Sequence, residues 1–230
     1  MNKTTIVAFL VILSNPLFAQ PLTPAINAIE SQWAQLYYAQ NHTGQKAGYP
    51  LLLNKIGKLL EKHPQSAELM IWHAIITSTN AAFEGPFSAL SSIDRAKSQL
   101  EQAIQINPHA MDGAAFVALG TLYYMTPGWP ISFGDHHKAE HLLKKALTIN
   151  PQSIDANYFY ADYLLTHEQP TEARKYLKRA LAATSRPEQA FADEQLKLEA
   201  RSALNTTEQT TLESSQYTFF SLFFSAKNSY

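Results

Sequence analysis

Residues 96–108 read AKSQLEQAIQINP. Apolar side chains return there every three or four positions between charged and amide residues, and the run stops at Asn107-Pro108. That period places one buried stripe along an amphipathic helix, which the proline cannot extend. The pattern recurs. Residues 139–151, AEHLLKKALTINP, repeat it at a spacing of 43, and 173–180, ARKYLKRA, align with 139–146, AEHLLKKA, at a spacing of 34. The pairs are Ala139 with Ala173, Leu143 with Leu177 and Ala146 with Ala180. Upstream, LLEKHP ends at Pro64, 44 residues before Pro108. A second apolar segment follows each proline: QSAELMIWHAIIT, HAMDGAAFVALGT and QSIDANYFYADYL, with Ala74, Ala118 and Ala161 at one shared offset. Each unit therefore holds two helices, with small residues where they cross, large ones in the seam to the next unit, and Asn107 and Asn150 suited to the intervening turns.

A helix-turn-helix unit near 34 residues, with alanines at the crossing and a proline near its end, resembles the tetratricopeptide repeat. The resemblance implies an all-α fold, an α-solenoid of about three to four divergent helix pairs. It covers residues 66–186 well. Residues 24–63 form a looser first pair, and 187–204, PEQAFADEQLKLEARSAL, read as a C-terminal capping helix with a charged outer face. The family's Trp, Leu-Gly and Tyr positions in the first helix of each unit are not kept. The organisation expected is a leader at 1–19, a solenoid over 20–204, and a polar linker with an aromatic tail over 205–230. Within that tail YTFFSLFF (217–224) is apolar and β-prone, and too short to cross a membrane as a helix.

Two units exceed 34 residues, and the extra length falls between their first and second helices: AAFEGPFSALSS (81–92) and MTPGWPISFGD (125–135). Insertions at one point of a repeat emerge on one face. Phe83, Phe87, Trp129 and Phe133 in these loops are either anchors for a partner or rings folded back as staples. The first helices line the concave groove in repeats of this kind. By offset the groove receives Glu68, Ile71 and Ile75, then Asp112, Ala115 and Leu119, then Asp155, Tyr158 and Asp162. This mixture of apolar and acidic residues suits a peptide or a small amphipathic ligand. Tyr158, Tyr160 and Tyr163 are too widely spread around one helix to share a stripe.

His137, Glu140 and His141 spell H-x-x-E-H, a signature similar to that of the inverzincin zinc peptidases. One repeat later the same positions hold Thr171, Arg174 and Lys175, ordinary solvated residues, while Leu142 and Leu143 match Tyr176 and Leu177. The repeat accounts for the stretch, leaving His137 and His141 as weak metal candidates and a zinc enzyme as a remote alternative. No nucleophile–base pair, phosphate loop or cofactor fingerprint appears, so no catalytic residue and no cofactor are expected.

The net charge is −1, from 18 basic and 19 acidic residues without long blocks, which excludes the basic face a nucleic-acid binder needs. There is no cysteine, so disulfides, thiolate metal sites and lipid attachment at cysteine are all closed. MNKTTIVAFLVILSNPLFA (1–19) has the layout of a secretory signal peptide: Lys3, an apolar run from Ile6 to Leu13, a break at Asn15-Pro16 and small Ala19. Cleavage near Ala19 would leave a periplasmic or secreted chain without a stable membrane anchor. The run from TPGWP through SFGD to IDANYFYADYLL is also similar to exported bacterial tetratricopeptide-like proteins, including the T components associated with TRAP-type transporters. That likeness implies a periplasmic substrate-binding protein as partner. The expectation is a non-catalytic interaction module using groove and aromatic loops, with a small-ligand-binding transporter accessory as the alternative, and it leaves an oligomer open.

Overall fold

A computed structural model describes residues 22–209 of the 230-residue chain. The proposed leader at 1–19 and the aromatic tail at 217–224 lie outside the described residues. Within them the chain forms helices α1 (Thr23–Ala34), α2 (His42–Lys62), α3 (Ala67–Asn80), α4 (Pro86–Ile106), α5 (Ala114–Met125), α6 (His136–Ile149), α7 (Ile154–Thr166), α8 (Pro170–Ala182) and α9 (Ala190–Gln209). A π-turn, Gln35–Ala39, extends α1, and 3₁₀ turns precede α5 and α9. Among the described residues no helix is long and apolar enough to cross a membrane.

Helices start where the sequence supplies a cap. Ser66 Oγ accepts from Leu69 N at 3.3 Å, Asp135 Oδ1 from Lys138 N at 3.0 Å, and Ser153 Oγ from Ala156 N at 3.1 Å. Pro86 and Pro170 occupy first-turn positions, where a missing N–H costs nothing. At the other ends, the Asn107 and Asn150 side chains accept from the backbone N–H two residues on, at 3.0 Å each, and turn the chain into its next unit.

The pairs α3–α4, α5–α6 and α7–α8 pack along their full lengths as three consecutive hairpins, and α9 closes the series against α8 and α7. This is the all-α solenoid. Ala96, Ala103, Ala139, Ala146, Ala173 and Ala180 are wholly buried, which lets the helices approach closely. Ala74 and Ala161 are buried as well, but Ala118 is only partly so. In that unit Gly120 makes the close crossing: a Cβ there would lie 2.8 Å from Leu143 Cγ. Leu100, Leu143, Leu164 and Leu177 fill the seams.

Two expectations are corrected. The first insertion is mostly extra helix, because α4 begins at Pro86 and Ser92 and Ala96 already lie on its buried face. Glu84 fixes the short turn before it, accepting from Asn80 Nδ2 and Ser92 Oγ at 2.8 Å each. Asp112 is not on a groove-lining helix. Met111, Asp112 and Gly113 all have positive φ, and this left-handed kink shortens the helix, so Asp112 is exposed and accepts from Asn150 Nδ2 at 3.1 Å. Residues 24–63 hold two helices, α1 and α2, joined through the π-turn. Helix α2 packs chiefly on α3, and α1 touches α2, α3 and α9 with its preceding turn.

Candidate functional site

The four aromatic loop residues divide into two kinds. Phe83 tilts against Tyr49 and His42, with ring centroids 5.7 and 4.8 Å away, and joins the cluster around Ile56 and Trp72. Phe133 packs edge-on to Tyr123 at 5.2 Å, and Lys97 Nζ of α4 lies 5.2 Å from its centroid. Both are staples. Phe87 and Trp129, by contrast, are each 90% exposed, and Ile131 beside Trp129 is 67% exposed.

The loop that carries Trp129 is held at both ends. Gly134 N donates to Pro127 O at 3.0 Å, Asp135 N donates to Tyr123 O at 2.9 Å, and the peptide between Trp129 and Pro130 is cis. A Cβ on Gly134 would fall 2.0 Å from Thr126 O, so only glycine fits there. Because Phe133 reaches Lys97, this loop leans on α4, the helix whose first turn presents Phe87. Both exposed rings stand at connections between the first and second helices of their units, Phe87 at the start of α4 and Trp129 in the loop before α6.

The groove residues also separate. Asp162 is buried on α7, and Tyr124 Oη donates to its Oδ2 at 2.5 Å from α5. Burial pushes the Asp162 carboxyl up to about 7, against the lowering effect of that hydrogen bond, and Glu199 adds to the rise. Tyr158 interacts with Glu199 of α9, whose carboxyl burial also raises. Tyr160 and Tyr163 stack 6.0 Å apart, Tyr160 meets Tyr176 edge-on at 4.7 Å, and Tyr163 meets Tyr124 at 5.7 Å. Those two tyrosines are structural, while Tyr158 faces the groove side.

Asp155 lies half-exposed, 3.0 Å from Arg186. Arg186 also grips the buried Asp193, whose Oδ2 accepts from the Arg186 backbone N–H at 2.7 Å. Next to this pair Gln189 donates to Glu30 of α1. Glu30 is 5% exposed, and burial pushes its carboxyl up to about 8; Arg186 opposes the rise, while Asp155 and Asp193 add to it. Sequence periodicity gave no sign of this cluster, because Arg186 and Gln189 stand in the connection after α8.

The concave side is filled by the chain itself. Trp33 Nε1 donates to Thr79 Oγ1 of α3 at 3.2 Å, and its ring stacks on Tyr37 at 5.0 Å. Tyr38 meets Phe191 of α9 edge-on at 6.3 Å. Burial raises both phenols, and Glu199 adds to each. Glu30 acts on Asp155, and Tyr37 on Tyr158 and Asp162, so α1 with its π-turn lies near the side of α7 that bears these three residues.

His137 and His141 are exposed on the outer face of α6, and Glu140 pairs with Lys144 at 2.6 Å and accepts from Tyr160 Oη at 3.4 Å. A zinc peptidase needs those histidines turned inward beside a third ligand; the helix turns them outward. Among the described residues no group of three or more His, Asp or Glu is placed to hold a metal.

A family model described as "Tetratricopeptide repeat" matches residues 131–192, from the Trp129 loop through α6, α7 and α8. Among solved structures, the chain is similar to a thermophilic TPR protein of Thermus thermophilus. The two are 20% identical with a TM-score of 0.53, over 80% of this chain and 90% of that one. It is also similar to yeast Tom70, at 19% identity and a TM-score of 0.44, over 84% of this chain and 35% of that one. No curated protein sequence matches it. The stacked hairpins with their alanine crossings have a tetratricopeptide-like fold, and the repeat itself is matched over residues 131–192.

Proposed function

We propose that the protein is a non-catalytic protein–protein interaction module that binds its partner along the edge bearing Trp129, Ile131 and Phe87. The observation that carries this reading is Trp129, 90% exposed on a loop fixed at both ends. An exposed indole on a backbone fixed at both ends buries a large apolar area on contact, which is how binding hot spots work. Phe133 fills the space beneath the loop against Tyr123, which favours a protein partner over a small ligand housed there.

The module acts after export. This part of the reading rests on the signal-like layout of residues 1–19, and the similarity to transporter-associated T components makes a periplasmic substrate-binding protein the first partner to try. The test is titration of that partner onto the wild-type chain and onto Trp129→Ala and Phe87→Ala. A loss of about tenfold or more in affinity, with thermal stability unchanged, supports the edge as the binding surface. Equal affinities in all three chains would remove it.

A further inference from the structure

The groove of this solenoid is occupied in cis, and the occupant is fastened unlike the rest of the fold. We propose that α1 with its π-turn is a displaceable plug, holding the place of an amphipathic helix from a protein partner that carries aromatic residues where Trp33, Tyr37 and Tyr38 now lie. This inference is independent of the Trp129 edge.

The cores come first. The main apolar core, from Ala67 to Ala200, contains no residue of α1 or of the π-turn. Helix α1 enters only the smaller cluster of Ile29, Tyr49, Ile56, Trp72 and Ile76. Its departure would leave the main core intact and uncover the faces of α2 and α3 that carry Tyr49, Ile56, Trp72 and Ile76. Local opening at low cost is expected of an element outside the main core.

Packing against the neighbouring helix comes second. A surface cleft lined by Gln32, Gln35, Leu36, Gly48, Leu51 and Lys55 opens along the α1–α2 seam, which is closed at Leu36 on Gly48 and bridged by Lys55 to Gln32, whereas the later hairpins are closed by buried alanines. No residue of the π-turn is buried over its whole surface, although the Tyr37 and Tyr38 phenols are buried. Such turns carry strained hydrogen-bond geometry and recur at functional sites.

The fastening at the far end comes third, and it is polar. Glu30 meets Gln189 in a neighbourhood that already holds Asp155 and Asp193 with Arg186 shared between them. A permanent apolar contact would not need a buried carboxyl. The groove wall of Tyr158, Asp162, Glu199 and Asp193 is rich in acceptors, so it suits a helix bearing phenol, indole or amide donors and disfavours an acidic one.

The test uses a fluorescein-labelled peptide of residues 22–41 added in trans to the full chain. The wild-type chain is compared with Trp33→Ala/Tyr38→Ala, which loosens the cis plug. Anisotropy should report binding about tenfold tighter to the variant, because a competing occupant has been weakened. A control peptide with Trp33, Tyr37 and Tyr38 changed to Ser should lose that gain. Equal binding to both chains, or binding to neither, overturns the proposal. If the variant fails to fold, hydrogen exchange on the wild-type chain decides. Amides of residues 26–39 exchanging together, well before those of α5 and α7, support a plug; protection equal to that of α5 and α7 overturns it.

Discussion

Gln189 donates a hydrogen bond to Glu30 across a sequence separation of 159 residues, tying the first helix to the turn that precedes the last. The contact joins the two ends of the described chain over the concave face. It also places a carboxyl where burial holds its proton.

Stability should fall as pH rises because of this carboxyl. A carboxyl with a higher pKa folded than unfolded binds its proton more readily in the folded chain, so stability is fully present below about 4.5 and declines until about 8. His73, lowered by burial, acts in the opposite sense, weakening the fold as pH falls through the ordinary histidine value. Between pH 6.5 and 8.5, wild type should lose roughly 3–6 °C of melting temperature more than Glu30→Gln does, at about 2–4 °C per kcal/mol for a domain of this size. Calorimetry at the two pH values checks it; equal slopes would show that Glu30 is not proton-bound in the fold.

Tyr124→Phe should destabilise by about 1–3 kcal/mol, since it removes the hydrogen bond donated to the buried Asp162. The cost should be greater at pH 8 than at pH 5. Asp162, raised to about 7, is ionised at the higher pH and then lacks its donor. Urea unfolding at both pH values measures the difference.

Gly120→Ala and Gly57→Ala should act in opposite directions. A methyl at Gly120 meets Leu143 Cγ at 2.8 Å, an overpacked crossing that costs about 1–3 kcal/mol. At Gly57 nothing lies within 4 Å, so the methyl should add about 0.5–1 kcal/mol of helix stability. Their urea midpoints should fall on either side of wild type.

Phe133→Ala should lower stability by about 1–3 kcal/mol through its lost contacts with Tyr123 and Lys97. Trp129→Ala, four residues away, should stay within about 0.5 kcal/mol of wild type. Thermal melts of the two variants separate a staple from an exposed ring.

The sequence by itself determined the hairpins. The spacing of Ala96, Ala139 and Ala173, the leucines at the seams and the Asn-Pro stops sufficed, because helix period and proline chemistry are local and the repeat states them several times. It also placed His137 and His141 on an outer face, since Thr171 and Lys175 hold those positions one unit later. It did not divide Phe83 and Phe133 from Phe87 and Trp129, since all four sit among the same turn residues and only their neighbours in space differ.

Tertiary structure alone decided the concave side. Glu30, Arg186, Gln189 and Asp193 come from segments far apart in the chain and obey no shared period, so no window of sequence could show that they meet. The same holds for α1. Its residues look like the first half of a repeat, yet without alanine crossings to close it on α2 it packs where the curvature of the later hairpins leaves a groove. Curvature is a sum over all the units, and no single unit encodes it.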